Sequence, residues 1–355
     1  MKKLHHHTKV RLLRLARFRH AHRQARRQYR YLPPARRHVP ARERIVAPQR
    51  INLTRGEGAQ LVHFLRAVKT QVLKRRQRVI IDFRHVEAVH VPGAILLLSE
   101  IDRIVALSDL HKPITVRDPR NQRTREVLKQ IGLHELTGDR CDITPVRDDV
   151  VFWRASKGAD QSGDAIGPII EHVAQTANKE HAQSVEVSGI WRGVSEAVIN
   201  TVEHAYHQER GDGLPHSTAT RWWMLTQIRN GTFTAAVCDL GSGYKSTVEK
   251  TIPESFVATV RERLLGASAD AYAIQLAMEY GRSSTKQSHR GKGSRDALSV
   301  LEGHRDGELH ILSNSGWVRY SLASGESPRV ESDRMDLDIL GTIIWWKLPL
   351  MNGAQ

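Results

Sequence analysis

"SEAVINTVEHAY", residues 195–206, decides how the second half of this chain is read. On a helix turning 100° per residue, Glu196, Asn200, Glu203 and His207 fall within about 60° of arc, opposite Ile190, Val194, Val198 and Ala205. Two carboxylates, an amide and an imidazole on one face make either a solvated surface or a site. Glu196 and Asn200 are one turn apart, so both side chains can reach the same small object. An Asn oxygen is a hard neutral donor suited to Mg²⁺ beside phosphate oxygens and water. A Glu one turn away is placed to take a proton from an attacking water or hydroxyl. A Glu-x-x-x-Asn pair is common, and the solvated-face reading stands until other segments join it.

Two segments do. "CDLGSGY", residues 238–244, puts Asp239, Gly241 and Gly243 at the end of an apolar strand. A carboxylate there can accept from an exocyclic amine, and the glycines let backbone approach a planar base closely. "STKQSHRGKGSRDAL", residues 284–298, is a Gly-, Ser- and Lys-rich loop running into a helix, whose N–H groups suit phosphate. It is not a Walker A loop. Gly291-Lys292 has Lys286, not Gly, five residues before Gly291, and Gly293 follows.

The rest of the chain divides around these motifs. At 355 residues it is long enough for two domains with real cores. Of the net charge of +16, residues 1–50 supply +15, from 16 Lys or Arg against the single acid Glu43. The basic arm, residues 1–44, therefore carries almost all the excess and the body is nearly neutral. Such an arm binds polyanions by counterion release, with Tyr29 and Tyr31 available to stack on bases, or serves as a solubilising tail. No apolar run reaches the roughly 18 residues a bilayer span needs. The basic N-terminus lacks the apolar segment of a secretory signal. Cys141 and Cys238 lie in unrelated contexts and suggest neither a disulfide framework nor a paired metal site, so a reducing cytoplasm fits best.

Residues 45–138 alternate helical and strand patterns. "GEGAQLVHFLRAVKTQVLKRR" and "PGAILLLSEIDRIVAL" read as helices, "RVIIDF" and "PITVRD" as strands, and "NQRTREVLKQIGL" as a helix ending near Gly132. Alternation of this kind predicts crossover units and a mainly parallel α/β sheet. Residues 139–165 are polar and read as a linker. Residues 166–350 predict an α+β, two-layer sandwich. Its helices are expected over 166–182, 188–207 and 268–280, with another after the Gly-rich loop. Its strands are "TRWWMLTQIRN" and "TFTAAVCDLG" around an Asn230-Gly231 hairpin turn, then "GELHILSNSG", "GWVRYSLAS" and "GTIIWWKLPL".

"SEAVINTVEHAY", "DLGSGY", "STKQSHRGKGS" and the terminal "GTIIWWKLPL" resemble the N box, two glycine boxes and last strand of the GHKL ATPases, a family of Bergerat fold. The N box is closest to that of the anti-sigma-factor serine kinases. The resemblance spans about residues 160–350 and implies that ATP and Mg²⁺ are the cofactors. It implies Asn200 as the Mg²⁺ ligand, Glu196 as general base, Asp239 as the reader of the adenine amine, and Gly241 and Gly243 as shapers of the base pocket. Lys286, Gly291 and Gly293 would cradle phosphates under a lid. One departure is Ser294-Arg295-Asp296, where the family usually carries a small apolar residue after the last glycine. "VIIDFRHVEAVHVPGAILLL", residues 79–98, is similar to the strand, Asp, loop and helix start of STAS domains, with Pro92 at the phosphoacceptor position.

The expectation is a cytoplasmic, Mg·ATP-dependent regulatory protein in which a STAS-like domain is fused to a GHKL domain. It acts on a protein partner as an ATPase or a serine/threonine kinase. The alternative is a nucleic-acid-binding protein working through residues 1–44, with the ATP-binding fold as a weakly catalytic switch. Homo-oligomerisation is left open by both.

Overall fold

The apolar runs of the first half form parallel strands, as their alternation with helices predicts. The structure is a computed structural model and describes residues 42–350 apart from 152, 162–165, 169–170, 172–186, 217–219, 262–267, 284–292, 303, 305 and 323–327. The elements of the first half are β1 (Glu43–Val46), β2 (Arg50–Ile51), α1 (Glu57–Lys69, widening into a π turn at Thr70–Lys74), β3 (Val79–Asp82), β4 (Ala88–Val89), α2 (Val91–Leu107), β5 (Ile114–Arg117), α3 (Gln122–Gln130) and α4 (Leu133–Thr137). The three longer strands pair in parallel in the order β1-β3-β5, and β2 pairs in parallel with β4. Pro92 sits in the first turn of α2, where its missing N–H costs nothing. Asp82 is fully buried at the end of β3 and ion-paired with Arg44 and Arg84. The hydrogen bond from Arg84 holds its carboxyl well below the usual carboxylate range.

The second half contributes α5 (Asp148–Val151), β6 (Arg154–Gly158), α6 (Val187–Asn200, continuing as a π turn at Thr201–Ala205), β7 (Trp222–Arg229), β8 (Thr232–Asp239), α7 (Gly243–Thr251), α8 (Glu254–Arg261), α9 (Ala269–Ser283), α10 (Gly293–Glu302), β9 (Gly307–Ser313), β10 (Gly316–Leu322), β11 (Arg329–Arg334) and β12 (Thr342–Pro349). Seven strands form one antiparallel sheet in the order β11-β10-β9-β12-β8-β7-β6. The β7–β8 hairpin turns at Asn230-Gly231 with φ of 50° and 67°, the positive values a two-residue type I′ turn requires. The stretch read as a linker supplies β6, an edge strand of this sheet. Its sequence, RASKG, has no apolar run to betray it.

Side-chain alternation splits the sheet's two faces. Trp222, Met224, Phe233, Ala235, Val237, Ile344, Trp346 and Leu348 pack under α6, α9 and α10. Trp223, Leu225, Ala236, Cys238, Ile343 and Trp345 face the other way, into a core shared with α1, α2 and the parallel sheet. The expected two-layer sandwich thus acquires a third layer, because α2 covers the sheet's second face. The sequence pattern accounts for this. α2 is buried almost without a break from Val91 to Ile104, and β7 and β8 are buried nearly end to end. Elements apolar on every side must be covered on every side.

Polar side chains of α2 key the two halves together. Glu100 takes the guanidinium of Arg210, which also donates to the carbonyls of Ile339 (2.9 Å) and Leu340. Arg103 pairs with Asp212 and donates to the carbonyls of Leu214 and Pro215 at 3.2 and 3.1 Å. Asp102 accepts from Lys157 at 2.7 Å and from the indole of Trp223 at 3.0 Å. Ser99 donates to the carbonyl of Leu96 within its own helix, 3.1 Å away, and touches Cys238 Sγ at 3.5 Å. Among the described residues no helix is long and apolar enough to cross a membrane.

Candidate functional site

The apolar side of α6 is where its period places it, with Ile190, Val194, Val198, Thr201 and Ala205 all buried. Glu196 and Asn200 lie half-buried on the other side. The expected four-residue polar face does not continue past them. At Thr201–Ala205 the helix widens into a π turn, and Thr201 Oγ1 donates back to the carbonyl of Ala197 at 2.9 Å. A π turn inserts extra backbone, so residues beyond it leave the 3.6-residue register. Glu203 and His207 are exposed, and Glu203 accepts from Gln161 at 3.2 Å. Glu203 still acts on Glu196 through its charge, while His207 lies beyond the π turn.

The glycine loop after β8 is laced to the end of this helix. Ser242 N–H donates to the carbonyl of Ala205 at 2.9 Å, and Leu240 N–H donates to Tyr206 Oη at 3.2 Å. Gly241 is required by that closeness, since a Cβ there would stand 2.2 Å from the Ala205 carbonyl oxygen. Gly243 has φ +80°, and a Cβ on it would meet the Asn314 amide at 2.5 Å. Both glycines are thus required by contacts within the chain. Asp239 is buried at the last position of β8 and accepts from Gly241 N–H at 2.9 Å. Burial pushes its carboxyl up to about 6, against the pull of the Gly241 N–H, Arg210 and Thr342.

The third motif reaches the same helix from α10. At Gly193 the two helices touch so closely that a Cβ would lie 2.5 Å from Val300 and 3.5 Å from the Asp296 carbonyl. Trp346 of β12 donates to the carbonyl of Ala297 at 2.9 Å, fixing α10 on the sheet. Asp296 belongs to the departure from the family pattern, and it acts on Glu196. Burial raises the Glu196 carboxyl, and the charges of Asp296 and Glu203 raise it further. Tyr244, half-buried at the start of α7, has its phenol raised by desolvation and then by the charges of both Asp239 and Glu196. Tyr244 thus lies within electrostatic reach of both carboxylates.

Gly293 opens α10, whereas Lys286 and Gly291 lie outside the described residues. A cleft lined by Val62, Lys69, Leu96, Glu100, Ile339 and Leu340 sits on the α2 side, away from Glu196 and Asn200. Sequence reasoning does not find Tyr206, Tyr244 or Asp296. Tyr206 lies within the quoted motif, but nothing in its spacing marks it as a rivet for the glycine loop. No protein-family model matches this chain, and no curated protein matches it.

Proposed function

We propose that residues 160–350 bind Mg·ATP in the manner of the GHKL ATPases and that the chain is a nucleotide-dependent regulatory switch acting on a protein partner. The observation that carries the reading is the convergence of three sequence motifs on α6. The glycine loop is hydrogen-bonded to the residues that follow Asn200, and α10 packs against Gly193 beside Glu196. The residues present suit the group. Asp239 is an acceptor-only carboxylate when ionised, and two oxygens offer more lone pairs than its neighbours use, so an exocyclic amine has a place to donate. Asn200 supplies a neutral oxygen for Mg²⁺, which when bound offsets phosphate charge. Glu196, made more basic by burial and by Asp296, would hold the proton of an attacking water or partner hydroxyl.

Titration calorimetry with Mg·ATP, paired with a thermal shift, tests this directly. Saturable heat and a raised unfolding temperature are expected, and no heat at millimolar ATP with folded protein ends the reading. A second reading rests on the +15 of residues 1–50: a nucleic-acid-binding protein whose working surface is the arm. Salt-sensitive DNA or RNA binding that Glu196→Ala leaves unchanged, without phosphoryl transfer to any protein, favours it.

A further inference from the structure

We propose that Asp118, His134 and Cys141 form a binding site for a transition-metal ion of the zinc class, with three protein ligands and one open position. One donor atom from each residue lies within 4.8 Å of the other two, and His134 Nε2 is 2.7 Å from Asp118 Oδ1. Tetrahedral zinc with nitrogen, oxygen and sulfur ligands at about 2.0–2.3 Å places donors roughly 3–4 Å apart, so the cluster needs only small adjustment. The His–Asp contact is the shared proton that a metal replaces on binding.

The three ligands come from separate segments that the fold has already tied together. Asp118 directly follows β5, His134 is the second residue of α4, and Cys141 lies just beyond the end of that helix. α4 is bounded by Gly132 and Gly138, both in the left-handed conformation, which sets the direction of entry and exit. Asp139 fastens the segment leading to Cys141. Its N–H donates to the His134 carbonyl at 2.9 Å, and its carboxylate accepts from Val116 N–H of β5 at 2.6 Å. The donors are thus presented by a braced loop, strand end and helix rather than by one mobile stretch.

His134 is 2% exposed, so packing fixes the ring with Nε2 toward Asp118; its Nδ1, on the other side of the ring, has no hydrogen-bond partner and lies outside the donor set. Arg125 Nε donates to the other oxygen of Asp118 at 3.2 Å, the kind of outer contact that orients a ligating carboxylate. A thiolate and a carboxylate together balance the charge of a divalent ion. A thiolate with an imidazole selects zinc-like metals over Mg²⁺ or Ca²⁺. Cys141 and Asp118 are half-exposed, which leaves the fourth position open to solvent. The site is independent of the nucleotide site proposed above.

Cobalt(II) is the probe, added to the full-length chain after chelator treatment. A thiolate-to-cobalt charge-transfer band saturating at one equivalent is expected, and zinc should bleach it. The histidines of the arm, His5 to His7 among them, bind cobalt through imidazole and give no thiolate band, so they do not mimic the result. Cys141→Ser should lose the band while keeping its far-ultraviolet circular dichroism, whereas Cys238→Ser, which alters a fully buried thiol, should keep it. Asp118→Asn should weaken cobalt binding by about tenfold or more. Absence of the band in the wild-type chain overturns the proposal, and so does a band of equal intensity in Cys141→Ser.

Discussion

Replacing Asp239 by Asn should stabilise the chain at neutral pH and destabilise it in acid, while removing nucleotide binding. The carboxyl rises from an ordinary value of 3.8 to about 6, chiefly through burial. Because the folded state holds this proton more tightly than the unfolded chain, the stability it contributes is complete below the unfolded value. It is lost as pH rises through about 6. At about 1.4 kcal/mol for each tenfold change in acidity, a rise of that size puts the cost of the buried charge near 3 kcal/mol at neutral pH. Asn removes that cost, but its NH₂ cannot accept, and one bond from the Thr342 side of the pocket is lost, worth about 1 kcal/mol. The expected balance is a gain of about 2 kcal/mol near pH 7.5 and a loss of about 1 kcal/mol near pH 4.

Urea unfolding at both pH values measures the sign change, and Mg·ATP calorimetry on the same samples measures the loss of binding. A variant destabilised equally at both pH values would show that Asp239 is an ordinary structural acceptor. A variant that still binds ATP with wild-type heat would remove Asp239 from the adenine-reading role. The two failures are separate, since the first concerns the cost of a buried charge and the second its use.

Glu196→Ala should keep ATP affinity and lower any turnover by about 10²–10⁴-fold, because a base acts on the step more than on the ground state; turnover at the wild-type rate makes Glu196 a polar-face residue only. Deleting residues 1–41, which stops short of β1 and keeps the Arg44 partner of Asp82, should leave ATP binding intact and abolish most polyanion binding, whose wild-type affinity should fall steeply with salt; a flat salt response refutes a role for the arm. Glu100→Gln should cost about 3 kcal/mol in chemical denaturation, the lower end for breaking a buried pair, because Asp212 still faces Arg210 at 3.2 Å. A loss below about 1 kcal/mol would mean that Glu100 contributes little to joining the halves.

What the sequence made legible were features set by local periodicity and turn chemistry. The parallel strands around "RVIIDF", the Asn230-Gly231 hairpin, Pro92 in a first helical turn and the apolar side of α6 each follow from a few adjacent residues. What stayed hidden depended on distant partners. β6 and β11, RASKG and RVESDR, are polar edge strands recruited by their neighbours, and β11 is exposed along its whole length. The π turn at Thr201–Ala205 breaks a polar face that uniform 100° steps extend to His207. Asp296 looks like a departure from a motif because its effect runs through Glu196, 100 residues earlier in the chain. Cys141 looks isolated because its neighbours Asp118 and His134 come from a strand end and a short helix.

If the second half binds ATP as proposed, the first half is expected to be a fixed docking or inhibitory element that it does not phosphorylate at the position where STAS domains carry their phosphoacceptor. In the proposed STAS-like reading that position is Pro92, which has no hydroxyl, and it is flanked by Val91 and Gly93. Between residues 84 and 99 the only hydroxyl side chain is Ser99. It is fully buried, donates to the Leu96 carbonyl and contacts Cys238 of the seven-stranded sheet. Phosphate there would require a dianion of about −2 charge inside the core that joins the two halves, a cost that packing could not absorb. α2 is committed along its length to that core, and its charged residues Glu100, Asp102 and Arg103 are matched by Arg210, Lys157 and Asp212. A helix held in register by three buried or half-buried ion pairs is not a segment that detaches to present a substrate serine. Incubation with Mg·ATP followed by mass spectrometry of the peptide spanning residues 84–99 should therefore find no phosphate. Stoichiometric modification in that peptide would show that α2 leaves the sheet during the catalytic cycle and that the first half is a substrate.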